Sequence, residues 1–153
     1  MRILFRSMVS ILSASAALMG CTARAEVADL RPEQLQAAAS HIFTGKLARV
    51  YEAVTQSGDW KTTHSVAELQ VARTEKGAQL GRLVYVRFSH RRYTGKGPPP
   101  GAAYGQRRVP AIGSEVRVFA TEGKDGGYDA ISPNGFSLIS APAAPKQKTS
   151  ESG

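Results

Sequence analysis

Alternation with a period of two runs through the chain from His41 to Ile139, and it constrains the fold more than any other feature. Glu115-Val116-Arg117-Val118-Phe119-Ala120 is polar and apolar by turns. Successive side chains leave a strand on opposite sides, so this is the pattern of a strand with one buried face. Leu83 to Phe88 repeats it with Val84, Val86 and Phe88 inward. Thr62 to Thr74 does so with Ala67, Leu69 and Val71 inward and Glu68 and Gln70 outward. His41 to Tyr51 is rich in β-branched and aromatic residues, but its alternation slips at Gly45, which predicts a bulge or sharp bend that moves the inward face by one residue. Ser57-Gly58-Asp59 is the turn between the first two strands. Tyr128 to Ile131 and Phe136 to Ile139 flank the turn signal Pro133-Asn134-Gly135 and read either as one bent strand or as a closing hairpin. Only one segment has a helical period. Leu35, Ala38, Ala39 and Ile42 follow the capping residue Asp29 and the first-turn residue Pro32, so Leu30 to Ser40 is predicted as a short helix with a narrow, Ala-rich face laid on a sheet.

A length of 153 residues holds one domain with tails. A single Cys excludes an internal disulfide and any Cys-cluster metal site, so the domain from 29 to 139 holds together by packing alone. Five short antiparallel strands must bury one face of a twisted sheet, and curling into a small barrel does this while removing exposed edges. The expected fold is all-β with one short N-terminal helix.

The first twenty residues read as an address. Arg2 and Arg6 precede the apolar run Met8 to Met19. As a helix that run rises only about 18 Å, short of the ~30 Å hydrocarbon core, which fits a secretory signal peptide and not a span. Leu18-Met19-Gly20-Cys21 resembles the bacterial lipobox, in which the thiol receives a diacylglycerol; cleavage after Ala23-Arg24-Ala25 is the competing outcome. Either way residues 21–28 are a linker to an exported domain. The Ala-, Pro-, Lys- and Ser-rich stretch 140–153 is expected to be a disordered tail.

The apolar and glycine spacing carries a resemblance. Ala39-x-x-Ile42-x-x-Gly45-x-Leu47-x-x-Val50, then Val66-Ala67-x-x-x-Val71 leading into Lys76-Gly77, then Val84-Tyr85-Val86, then Gly113-x-x-Val116-x-Val118-Phe119 resembles the OB-fold-type barrel of tissue inhibitors of metalloproteinases and netrin modules. The chain is also similar to small bacterial exported proteins of unknown role with a GKGPPP loop and a GGYD…PNGF ending. The resemblance spans Ala39 to Ile139 and implies a five-stranded OB-like barrel. It does not imply protease inhibition. Those inhibitors resemble one another in a free N-terminal Cys within a Cys-x-Cys stretch, and here Cys21-Thr22-Ala23 has no second Cys.

Catalytic constellations are missing from the sequence. His41, His64 and His90 have no His or Cys at close metal-ligand spacing, and His64 and Glu68 on one strand face sit about 13 Å apart, too far to share a metal. Ser89 and His90 are adjacent and point oppositely on a strand. Asp125 and Asp129 flank a Gly-rich turn without the further oxygens a calcium loop needs. Gly95-Lys96-Gly97 runs into Pro98-Pro99-Pro100 and cannot open a helix under a phosphate. The expectation is a non-enzyme with no cofactor and no metal.

Charge is the remaining signal. No Asp or Glu occurs between Glu75 and Glu115, and the eight bases in that interval equal the whole formal excess of +8. Its centre, Ser89 to Ser114, is a long Pro/Gly connection carrying Arg91, Arg92, Tyr93, Lys96, Tyr104, Arg107 and Arg108. Long connections of this kind are often binding loops, and Arg beside Tyr suits anionic, planar or sugar-bearing surfaces. On an exported barrel this predicts contact with an anionic envelope component or an acidic protein surface, with membrane association through a lipidated Cys21. A solvated basic loop with no ligand is the plain alternative. Single-stranded nucleic acid is a third reading, against which the signal segment argues.

Overall fold

A computed structural model describes residues 28–101 and 104–142. The segment expected to be a signal peptide, Cys21 and the stretch beyond residue 142 expected to be a tail lie outside the described residues. One helix, α1 (Pro32–Ala38), precedes six strands: β1 (His41–Ser57), β2 (Trp60–Lys76), β3 (Leu83–Tyr93), β4 (Glu115–Glu122), β5 (Tyr128–Ala130) and β6 (Phe136–Ser140). The sheet order is β1-β2-β3-β5-β4-β6, and β4 also pairs with β1, so five strands close into a ring. All pairings are antiparallel except β3 with β5, a short parallel contact of Val86 with Tyr128 and Arg87 with Asp129. The expected all-β ring with one short helix is the fold observed.

The period-2 sets fill the ring. Phe43, Leu47, Leu69, Val86, Val116 and Val118 are fully buried, with Ala67, Val84, Phe88, Ala120 and Phe136 around them. A second, smaller cluster lies outside the ring, where Leu35 and Ala39 cover Ile42 and Phe119. That is why β1 and β4 each have consecutive buried residues: one side chain faces the ring and its neighbour faces the helix. Ala38, assigned to the packing face by spacing, is exposed. The helix is shorter than predicted because Pro32 starts it and Arg31 is its cap, with the Gln34 side chain accepting the Arg31 N–H at 2.9 Å. Asp29 does not cap the helix; it faces Arg107 at 3.5 Å.

Gly45 meets half of its expectation: the ladder is irregular there, but the inward face of β1 does not change at it. The ladder to β2 slips between Thr44 and Gly45, and a Cβ there would stand 2.6 Å from the Gln70 carbonyl oxygen. The change of inward face comes three residues later. Ala48 is extra between Leu47, opposite Leu69, and Arg49, opposite Glu68, so the inward set passes from Phe43 and Leu47 to Val50.

The two final segments form one interrupted strand along a single edge of β4 and not a hairpin. β5 pairs with Ala120 to Glu122 and β6 with Glu115 to Val118. Between them Phe119 holds both ends: its carbonyl accepts the Ile131 N–H at 3.0 Å and its N–H donates to the Gly135 carbonyl at 2.8 Å. The excursion 132–135 carries Asn134, whose amide exchanges two hydrogen bonds with the Leu30 backbone at 3.1 and 2.9 Å. β6 continues through Ser140, one residue into the stretch expected to be a tail.

Candidate functional site

β1 and β2 run well past the ring as a long hairpin, and β3 follows β2 to its tip. Register places Trp60 opposite Tyr93, Lys61 opposite Arg92, Thr62 opposite Arg91 and His64 opposite Ser89. β3 therefore extends to Tyr93, five residues past the predicted end at Phe88, and the long connection begins at Thr94. That connection is not loose along its length. Residues 104–106 run against β3 as a strap: the Arg91 N–H donates to the Tyr104 carbonyl at 2.9 Å and the Gln106 N–H to the Ser89 carbonyl at 2.7 Å, with Gly105 bridging His90. Gly105 is the residue this approach requires. Its φ is +105°, and a Cβ would collide with the Ser89 carbonyl.

The strap completes an aromatic–arginine stack. The Arg91 guanidinium lies 4.4 Å from the Trp60 ring centroid and 5.1 Å from that of Tyr104, and Nη1 donates to the Tyr104 hydroxyl at 3.1 Å. Trp60 leans on Tyr93 with centroids 5.2 Å apart. The Tyr93 hydroxyl donates to Asp59 at 3.4 Å; partial burial, and then the Asp59 carboxylate, push its phenol up from the ordinary value. The same sheet displays Tyr51 and Tyr85 about half exposed, with Tyr51 donating to Glu68 at 2.8 Å. The hydrogen bond with Tyr51, and then the Tyr51 and Glu68 charges, raise the Arg49 guanidinium further above its usual range.

The acid-free stretch divides once its partners are named. Lys76 Nζ donates to the Gln36 carbonyl at 2.6 Å and tethers the helix. Arg87 is clamped by Asp125 and Asp129, with Nε and Nη2 donating to Asp129 at 2.8 Å each. These hydrogen bonds, Asp125 first, raise the Arg87 guanidinium, and Arg87 holds the Asp125 carboxyl below its ordinary value with help from the Gly127 N–H. The two Asp residues near the Gly-rich turn thus serve an arginine, and among the described residues no three His, Cys, Asp or Glu gather as a metal site would need. Arg91 is stacked and Arg107 pairs with Asp29. Arg92, Lys96 and Arg108 are exposed with no carboxylate against them among the described residues.

Seven residues were expected to share one surface, and they do not form a single cluster. Arg91, Tyr93 and Tyr104 gather around Trp60. Arg107 and Arg108 line a separate groove of about 800 Å³ beside Asp29, Leu35 and Leu138. Arg92 faces another partner that sequence reasoning missed, Lys61, directly across the β2–β3 ladder. Like charges at facing positions repel, so this pair has a reason to attract an anion. Trp60 was missed as well. The only sequence signal for either residue is its place just after the Ser57-Gly58-Asp59 turn, which says nothing about β3.

His41 is buried against the Tyr128 ring, edge-on at 5.0 Å, with its Nδ1 3.1 Å from the Ser40 hydroxyl. His64 and His90 are exposed at different ladder steps.

Compared with known proteins, the chain matches no family model, no curated protein and no solved structure. The resemblance to metalloproteinase inhibitors and netrin modules accordingly has no support from similarity.

Proposed function

We propose that this protein is a non-catalytic binding module of the cell envelope that contacts an anionic surface or acidic partner through the tip of its β2–β3 sheet. The observation that carries this reading is the Lys61–Arg92 pair, two cations at facing positions with Lys96 following on the same connection and, among the described residues, no carboxylate paired with them. A phosphate or carboxylate seated between them would turn a repulsive cross-strand pair into an attractive one. The ring itself is proposed to be of the OB type. Its order closes β1-β2-β3-β5-β4 back on β1, and the face of strands two and three is where such barrels bind. Export with Cys21 acylated would hold the domain at a lipid surface.

The test is retention on phosphatidylglycerol vesicles and on heparin across a salt gradient, wild type against a Lys61→Gln/Arg92→Gln/Lys96→Gln variant. Cations near an anionic surface contribute about 1 kcal/mol each, so the variant should elute at clearly lower salt. Equal retention of the two proteins sinks the reading. Mass spectrometry of the mature N-terminus tests the anchor: a diacylated Cys21 supports it, and a chain beginning at Glu26 removes it.

A second reading rests on the Trp60–Arg91–Tyr104 stack, which is also the kind of platform on which unpaired bases stack. Binding of single-stranded DNA in preference to heparin, together with a cytoplasmic location, would favour it.

A further inference from the structure

Beyond the ring, β1, β2 and β3 continue as a three-stranded sheet whose two faces use their polar groups differently. Directly facing residues share a face, and so do residues two apart along a strand. One face carries Arg87, Arg91 and Tyr93 of β3, and its β3 cations are engaged: Arg87 by Asp125 and Asp129, Arg91 by Trp60 and Tyr104. The opposite face carries Lys61 and Thr63 on β2 and His90 and Arg92 on β3. Lys61 faces Arg92 and Thr63 faces His90, so the four occupy two neighbouring ladder steps. Facing Cβ atoms stand about 5 Å apart, and the steps are about 7 Å apart. Among the described residues none of these four side chains has a hydrogen-bond or ion-pair partner. Glu52, the one carboxylate on this face of the three strands, lies one step further along and two strands across from His90, about 12 Å away. Asp59 in the turn is committed to the Tyr93 hydroxyl at 3.4 Å. The tip is also braced. Gln56 Nε2 donates to the Gly58 carbonyl at 2.6 Å and to the Thr94 hydroxyl at 3.3 Å, and the Thr94 N–H and hydroxyl donate to the Asp59 carbonyl at 2.7 and 3.0 Å. Lys61 stands between Gln56 and Arg92 in that frame, so the strands bearing the four donors are fixed before a ligand arrives.

We infer that these two ladder steps form one site for the phosphate group of an ester, in which Thr63 and His90 select phosphate over carboxylate. The inference rests on the anionic contact proposed above and narrows its ligand. A carboxylate holds two oxygens in one plane, and the Arg92 fork with the Lys61 ammonium is enough to satisfy it. Thr63 and His90 would then have nothing to do. A phosphate ester presents three acceptor oxygens around a tetrahedral centre and takes donors from several directions. The guanidinium offers a paired fork and the ammonium a point charge, while the Thr63 hydroxyl and a His90 ring N–H supply two further donors one step along. Four donors without partners on one face match that demand, and the nearest carboxylate of the face is too far away to compete for them.

The test is an amide NMR titration of the full chain with glycerol 3-phosphate and with glutarate, at about pH 7.5 where both are chiefly dianions. Glycerol 3-phosphate should give saturable shifts at Lys61, Thr63, His90 and Arg92 and bind about tenfold more tightly than glutarate. Thr63→Val/His90→Ala should weaken glycerol 3-phosphate about tenfold and leave glutarate unchanged, erasing the preference. The Leu69 and Val86 amides report whether the ring is intact, and the single variants, each expected to lose about threefold, repeat the measurement with a smaller perturbation. Lys61→Gln/Arg92→Gln should weaken both ligands. Equal affinity of the wild type for the two anions, or phosphate binding unaltered in Thr63→Val/His90→Ala, overturns the inference and leaves the anionic contact at the tip standing. Binding of neither anion removes both. With the preference established, retention on phosphatidylglycerol vesicles assigns the source of the phosphate. A fall in the Thr63→Val/His90→Ala variant supports a lipid headgroup, and retention equal to wild type supports a soluble ester.

Discussion

The two halves of β1 make an instructive comparison. From His41 to Leu47 the strand lies between β2 and β4, and Phe43 and Leu47 are fully buried. From Tyr51 to Ser57 it pairs with β2 alone and every residue is exposed. The hydrogen-bonded ladder is continuous through both halves, so backbone pairing does not set them apart. The difference is what lies above and below the sheet: a closed ring and a helix in one half, solvent and a strap in the other. Hydrophobic burial scales with apolar area removed from water. Stability is therefore concentrated around the first half, and the part of the sheet that extends along the second half is free to carry Trp60 and Lys61 on β2 and Arg91 and Arg92 on β3.

That contrast can be broken most sharply in the ring. Phe43→Ala should cost about 3–5 kcal/mol, the usual range for emptying a large buried aromatic site. Denaturant unfolding monitored by circular dichroism checks it, and a loss below 1 kcal/mol would mean that the ring is not the stabilising unit.

A smaller effect is expected at the strap. Gly105→Val demands a strained φ and drives a side chain into the Ser89 carbonyl, a cost of about 1–3 kcal/mol. The segment should detach from β3 while the ring survives. Hydrogen exchange reads this directly: the Arg91 and Gln106 amides lose protection, and those of Leu69 and Val86 keep theirs. Equal loss in both groups would show that strap and ring unfold together.

Next comes Trp60→Ala, which removes one side of the arginine stack and should lower stability by about 0.5–1 kcal/mol, within the range of an exposed cation–π contact. Its clearer sign is motion of the Arg91 side chain, seen as narrowed guanidinium resonances. The smallest effect concerns the Arg87 clamp. Arg87 holds the Asp125 carboxyl below its ordinary value of 3.8 in the folded protein. The folded value being the lower one, this contribution is present above the unfolded value and is lost as pH falls through the folded one. Asp125→Asn should thus lower the melting temperature slightly at neutral pH, by less in high salt, with the difference vanishing once acidification has protonated Asp125 in the folded protein. A difference that persists in acid would assign the effect to something other than the ion pair.

Much of the ring was legible residue by residue. Val84, Val86 and Phe88, or Val116 and Val118, announce their inward face because alternation is a local property of a pleated chain. Gly45 announced a slip for the same reason. What was not legible depended on partners distant in sequence. Asp29 looked like a helix cap and is an ion-pair partner for Arg107, because Pro32 begins the helix later and the 107–110 segment passes beside it. Tyr128 to Ala130 was readable as a strand, but its parallel seat beside β3, which closes the ring, was not. The stretch 89–114 looked like one long loop because Arg91, Arg92 and Tyr93 lack an apolar alternation. They are nevertheless strand, since β2 continues alongside to pair with them.

The sequence by itself determined which faces are apolar, that the helix is single and short, and that the charge excess is confined between Lys76 and Ser114. Those are properties of neighbours along the chain. Only the tertiary structure decided how that charge is divided: Arg87 answered by Asp125 and Asp129, Arg91 held between Trp60 and Tyr104, and Arg92 set across from Lys61 with no carboxylate paired to either among the described residues. The reason is register. A facing pair is fixed by the turn at Gly58, the bulges along β1 and β2 and the closing of the ring, and a shift of one residue in any of them would exchange every partner on the sheet.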